Sequence, residues 1–298
     1  MKRRILGVVL IFLGIAAVYG IGKPFYKSIF ATVEINEEKI IEAAYIEVVN
    51  IRTSSTNVKV VPATTNQITV YVDGIIVKKL EDTYHLKVKE ADGQLNIEYL
   101  SNENIIGIKL ESKKDINVRV TLPEKVYREL LITTSSGNIE VENVVADTFE
   151  SKTTSGDQTI KDIKTNDDVL IHSTSGNIAL KRNTMTAFTI NTTSGDVETE
   201  ALDSQRGQIN TTSGSVTMNI KQMIKELDIA TTSGDVKTDF ENNPESLRID
   251  FKGKSGKPDI QLKDIMYEYK DENSAIGVIG KGVHILKVRT SSGDLKVR

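Results

Sequence analysis

The tetrapeptide Thr-Thr-Ser-Gly and its near copies recur at an almost constant interval through the second half of this chain. Copies end at Gly137, Gly156, Gly176, Gly195, Gly214 and Gly234, each 19 or 20 residues after the last. A weaker copy ends at Gly256 and a clear one at Gly293, two periods later. A fixed period of this length marks a stack of like supersecondary units, none of which can bury its apolar face alone.

Aligned on the glycine, the copies show what each unit is. Five residues before it stand Ile132, Ser151, Ile171, Ile190, Ile209, Ile229, Phe251 and Val288. Two and four residues after it stand pairs such as Ile139 and Val141, Ile178 and Leu180, and Leu295 and Val297, with polar residues between. Alternation on both sides of a Ser-Gly-Asx corner predicts strand, turn and strand, each with one buried face. The fold class expected is therefore all-β: a β-solenoid, a single stacked β-helix of about 20-residue coils. The seven turn glycines Gly137, Gly156, Gly176, Gly195, Gly214, Gly234 and Gly293 are expected to supply the positive φ of the corner. The aligned Thr134, Thr153, Ser173, Thr192, Thr211, Thr231 and Thr290 would form a ladder.

After the glycine come Asn138, Asp157, Asn177, Asp196, Ser215, Asp235 and Lys257, so that acidic residues alternate with others. In a simple stack this keeps carboxylates about 10 Å apart. The pattern argues against a calcium-binding solenoid, which needs an acidic residue at every turn.

Before the repeats, Met1–Arg4 forms a basic tip and residues 5–22 carry no charge. As a helix those 18 residues would be about 27 Å long, enough to cross a bilayer core. With Lys2, Arg3 and Arg4 ahead of it, the segment predicts a single-pass signal-anchor, its N-terminus cytoplasmic and the rest of the chain extracytoplasmic. A cleaved secretory signal is the other reading, without a clean cleavage site. Residues 23–44 read as a juxtamembrane connector, weakly helical through Glu34, Glu37, Glu38 and Glu42. Residues 45–298 read as the solenoid, with regular repeats over 124–298. Ile51–Val60 matches the repeat as a first coil with Thr56 at the glycine position, and Leu86, Val88, Gly93, Leu95 and Ile97 match it again. Asp73-Gly74 reads as a turn, Glu124–Glu129 as a loop, and Ile265–Gly282 as an interruption, an extended loop or hairpin. Lys296 and Arg298 would blunt an open terminal edge.

The remaining residues exclude more than they assign. No cysteine means no disulfide, thiol catalysis or thiolate metal site. A net charge of −3 without a basic patch speaks against nucleic acid as a partner. No metal, cofactor or catalytic residue is assigned. Asp167-Asp168, with Asp162 nearby, is the candidate carboxylate cluster within the repeats and reads as a solvated turn without a fixed cation. His85, His172 and His284 lack metal-ligand spacing and fall on outward positions. Each serine before a repeat glycine belongs to a turn. Tyr267 and Tyr269 form the one close aromatic pair on a predicted loop and are the speculative ligand contacts, unless they cap the end of the stack.

Three segments together resemble the adhesin-like repeat domain of LiaG-type membrane-anchored proteins of Gram-positive bacteria. They are Val118-Arg-Val-Thr-Leu-Pro123, Leu131-Ile-Thr-Thr-Ser-Ser-Gly-Asn-Ile139 and Val283-His-Ile-Leu-Lys-Val-Arg-Thr-Ser-Ser-Gly-Asp-Leu295. The resemblance covers residues 45–298 and implies an extracytoplasmic domain linked to the cell envelope and its stress response, with no catalytic motif. The expected function is that of a non-catalytic surface protein that contacts a cell-wall polymer or a membrane-protein partner. The alternative is a carbohydrate-active β-helix enzyme, a lyase or hydrolase, which would need carboxylates gathered across coils. Self-association through an open sheet edge is a third expectation.

Overall fold

The computed structural model describes residues 31–78, 84–101 and 116–298. The basic tip, the uncharged segment 5–22 and the first part of the connector lie outside the described residues. Within them the chain is all-β, without an α-helix, and its strands form two sheets of 12 and 14 strands.

The chain enters on β1 (Thr32–Glu42), which pairs antiparallel along its whole length with β4 (Gln67–Val77). The helical reading of the connector is therefore corrected. Glu34, Glu37, Glu38 and Glu42 have helix-like spacing, but Val33 and Ile35 alternate towards the core and β4 offers a complete ladder. Tertiary pairing overrides weak local propensity. Asp73-Gly74 is not a turn either, since Gly74 pairs with Ile35 in the middle of that ladder. Between these strands lie β2 (Val48–Thr53) and β3 (Asn57–Pro62), one coil with Thr56 at its corner. Next come β5 (Tyr84–Ala91), β6 (Gln94–Ser101) and β7 (Asn117–Leu122). β5 and β6 are an antiparallel hairpin turned by Asp92 and Gly93, with φ of 49° and 76°. Gly93 thus serves a hairpin and not a coil corner.

The regular stack follows as strand pairs, one strand in each sheet per coil: β8 (Val126–Thr133) and β9 (Ile139–Glu142), β10 (Val145–Lys152) and β11 (Gln158–Lys161). The next coil divides its first strand into β12 (Lys164–Thr165) and β13 (Asp168–His172), followed by β14 (Ile178–Lys181). Then come β15 (Thr184–Asn191) and β16 (Val197–Glu200), β17 (Asp203–Asn210) and β18 (Val216–Ile220), β19 (Glu226–Ala230) and β20 (Val236–Phe240). β8 starts at Val126, inside the expected Glu124–Glu129 loop. All neighbouring coils pair parallel and in register, so that Phe149 stands beside Val169, Val169 beside Phe188, Phe188 beside Gly207 and Gly207 beside Leu227. Each buried Ile, Leu, Val or Phe in these columns contributes roughly 1.5–3 kcal/mol. Gly207 is small for a local reason: a Cβ there would lie 2.3 Å from the Phe188 ring.

One coil departs from the apolar pattern. Ser151 and Gln158, both buried, occupy slots that hold isoleucine in other coils and bond to each other, Ser151 Oγ donating to Gln158 Oε1. Gln158 Nε2 donates to the His172 carbonyl at 2.6 Å. Losing one partner strands a buried polar atom at a cost of about 1–3 kcal/mol, whereas apolar replacement of both is near neutral. Ser151→Ala is thus expected to lower the urea midpoint, and Ser151→Ile with Gln158→Ile to restore it.

The corners hold two further corrections. None of the seven turn glycines has positive φ; the left-handed residues within the regular stack are Asn143, Asp162, Arg182 and Ala201, at the opposite corner of four successive coils. Glycine is needed because of what lies beneath it. A Cβ on Gly195 would sit 1.9 Å from the Gly176 carbonyl oxygen, and one on Gly156 1.8 Å from that of Gly137. Each corner is closed by the buried hydroxyl three residues earlier. Thr192 Oγ1 accepts from Gly195 N at 3.2 Å, and Thr290 Oγ1 from Gly293 N at 2.8 Å. The Asx side chains tie one coil to the next: Asp157 Oδ1 accepts from Asn177 N at 2.8 Å and Asn177 Oδ1 from Asp196 N at 3.0 Å.

The far end does not follow sequence order. After β21 (Leu247–Lys252) and β22 (Pro258–Ile260), the hairpin of β23 (Met266–Lys270) and β24 (Ser274–Ile279) folds antiparallel onto β21. β25 (His284–Arg289) then runs between β19 and β21, and β26 (Leu295–Val297) between β20 and β22. Lys296 and Arg298 therefore do not blunt an edge. The alternation of acidic residues fails here too, since Asp294 follows Asp235 directly and Asp235 Oδ1 accepts from Asp294 N at 2.8 Å.

Candidate functional site

The Thr-Thr-Ser-Gly corners form one continuous surface. The first threonine and the glycine of each copy are buried, while the two residues between them are exposed: Thr154 and Ser155, Thr174 and Ser175, Thr193 and Ser194, and so on to Thr232 and Ser233. The result is a ridge of paired hydroxyls repeating about every 4.8 Å along the stack, with the Asx residues beside it. It can donate and accept hydrogen bonds along a linear, polyhydroxylated partner. The seven turn glycines lie in the floor of this ridge.

A shallow trough of about 650 Å³ opens on the outer face of the 14-stranded sheet, where Glu150, Asp168, Arg206, Glu226 and Asp228 project. It includes the sequence candidate Asp168 but not Asp167. Asp168, Ala187, Arg206 and Glu226 follow one another across successive strands, so the end carboxylates are about 14 Å apart. That exceeds the spacing of either glycosidase geometry, whereas Glu226 and Asp228, two residues apart on β19, stand about 7 Å apart on one face. Asp228 is held by Lys287 at 2.8 Å. Asp162 stands elsewhere, at the left-handed corner, and has a fixed cation that the sequence pattern did not reveal. Arg182 Nε and Nη2 donate to its two oxygens at 2.8 and 2.7 Å, which holds its carboxyl below the usual range.

The histidines are dispersed. His85 is exposed on β5, and His284 Nδ1 lies 3.2 Å from the Ile224 carbonyl. His172 is half-buried at the end of β13; burial first, and then Lys152, hold its imidazole below the ordinary value of 6.5. Protonation therefore favours the unfolded chain, so the stability linked to this group is complete above about pH 6.5 and lost as the pH falls through the folded value. The thermal midpoint is expected to drop from pH 7 to pH 5 less steeply in His172→Gln than in the parent.

Tyr267 and Tyr269 lie on β23, the last strand of the 14-stranded sheet, in a hairpin and not a loop. Lys270 Nζ sits 4.4 Å from the centroid of the Tyr267 ring, and the Tyr269 hydroxyl donates to Asp271 Oδ2 at 2.5 Å. Tyr84 and Tyr99 are not surface aromatics. Their rings stack at 5.7 Å, and both are buried.

The family model described as Toastrack DUF4097 matches residues 46–298. The chain belongs to the Toastrack family. No curated protein sequence matches it significantly. Among solved structures, this Toastrack chain is similar to a "putative adhesin" of Bacteroides fragilis, with a TM-score of 0.50 at 12% identity over 89% of this chain and 97% of that one. A protein of Parabacteroides distasonis with the same name gives a TM-score of 0.50 at 11% identity over 89% and 97%. At such identities the likeness concerns the fold.

Proposed function

We propose that the protein is a non-catalytic, membrane-anchored surface protein of the LiaG type. Its β-solenoid would stand outside the cell membrane and contact a cell-wall polymer, as part of the envelope and its stress response. The hydroxyl ridge carries this reading. The buried Thr and Asx groups of the repeat are engaged in holding corners and coils together, and the exposed Thr-Ser pairs form a regular polar track suited to a linear glycan. The uncharged segment 5–22 behind a basic tip supports the anchor. The adhesin names of the two structural neighbours agree with a surface role.

Co-sedimentation of residues 31–298 with isolated cell-wall sacculi tests the reading. The domain is expected to pellet above a control protein, and Thr174→Val with Thr193→Val to weaken pelleting without altering the fold. A domain that stays in the supernatant would overturn the wall-polymer contact and leave a membrane-protein partner, detectable by crosslinking in intact cells.

A further inference from the structure

We infer that the protein self-associates tail to tail, strand β23 of one copy pairing antiparallel with β23 of a second. The inference stands apart from the wall-polymer reading. Of the described strands, β1, β5, β22 and β23 form the four sheet edges. An edge is a row of unpaired backbone donors and acceptors that proteins ordinarily blunt with charges, proline or shortness. β1 carries four glutamates, β5 carries Lys87, Lys89 and Glu90, and β22 has three residues and begins with Pro258. β23 is different. All five of its residues are exposed, and Met266, Tyr267 and Tyr269 are 67%, 38% and 50% accessible.

The two charges on β23 are already engaged within the chain. Glu268 accepts from Arg248 Nη1 and Nη2 at 3.1 and 3.0 Å, and Lys270 lies over the Tyr267 ring. The strand is bulged, Tyr267 standing opposite Gly277 and Tyr269 opposite Ile276, so that Glu268 and Tyr269 share one ladder step. A two-fold axis through that step makes β23 complementary to itself. Each Lys270 comes opposite the Tyr267 of the second copy, an attractive cation and ring pair formed twice, and Tyr269 comes opposite Tyr269. Glu268 would meet its own copy there, but its charge is answered by Arg248. Met266 and Tyr269 stand opposite Val278 and Ile276, so the apolar face they share is doubled across the axis. The joined 14-stranded sheets, each 13 rungs deep because β12 and β13 share one, would form one continuous sheet about 120 Å long, with strands of the N-terminal half of the two copies at its opposite ends.

The absence of cysteine makes the test direct. Opposed residues of an antiparallel pair have Cα atoms about 4.5–5.5 Å apart, within disulfide range. The full chain, in mild detergent, carrying Tyr269→Cys is expected to form a disulfide dimer under gentle oxidation, with a yield about tenfold above that of Tyr45→Cys, at a still more accessible position at the far end. Sedimentation velocity of the parent should show a concentration-dependent dimer that Met266→Lys with Tyr269→Lys abolishes while the circular dichroism spectrum and thermal midpoint persist. Equal crosslinking of the two cysteine variants, a parent that is monomeric at every concentration, or capture of a different protein by Tyr269→Cys would each overturn the pairing.

Discussion

Gly195→Ala is expected to break the stack at its middle. The added methyl would lie 1.9 Å from the Gly176 carbonyl oxygen and 3.2 Å from Asn177 N, both of them backbone. Neither can turn away as a side chain could. Their coil is fixed on one side by β13 and β14 against β10 and β11, and on the other by β15 and β16, all in unbroken parallel register. Relief requires the two corners to separate by more than 1 Å, which would weaken the Asn177-to-Asp196 bond at the same step. We expect a loss of about 4 kcal/mol or more, beyond the range of ordinary substitutions. Because a repeat stack is held by nearest-neighbour contacts, the urea transition should split into separate melting of the halves. Gly207→Ala is the control. Its methyl would strike the Phe188 ring at 2.3 Å, yet a ring can repack, so the cost should be about 1–3 kcal/mol and fall when Phe188→Leu is added. If Gly195→Ala unfolds within about 1 kcal/mol of the parent, close approach is not why the corner holds glycine.

Much of the coil was legible because its signal is local and repeated. The apolar slots aligned on glycine are the same residues that pair across β8, β10, β13 and β15, down to Phe149 beside Val169 and Val169 beside Phe188. The role of the glycine was harder to read, since a close approach and a positive φ leave the same residue in the sequence. The true left-handed corner left little trace: Asn143 and Asp162 suit it, but Arg182 and Ala201 also occupy it, held there by their coils. β1 was misread because four glutamates at helical spacing concealed two inward residues. Of the surfaces, Tyr267 and Tyr269 were visible as an interruption of the period. The trough was not, because it gathers outward residues from several coils, and Arg182 beside Asp162 was missed because the pair spans 20 residues of sequence.

Deleting residues 283–298 should cost far more than the shortening of a stack by one coil. In a stack whose order follows the chain, loss of the last unit leaves everything before it intact. Here, among the described residues, β25 and β26 are the only ladder between the β19–β20 coil and the β21–β22 coil. Their removal takes away buried Leu286, Val288, Leu295 and Val297, roughly 6–12 kcal/mol of apolar burial in total. It also removes the Lys287–Asp228 and Arg289–Asp250 ion pairs at 2.8 and 2.6 Å. The β21–β24 segment then has no stack to join, and Leu227, Ile229 and Val236 become an open end. Limited proteolysis of the truncated chain is therefore expected to cut throughout residues 221–282, while the coils before them resist. A peptide of residues 283–298 should restore protection by pairing with β19 and β21 on its two sides, as an added strand does at an open sheet edge. If the truncated chain kept residues 247–279 protected without the peptide, β21 would have closed directly onto β19 and the inserted coil would be dispensable.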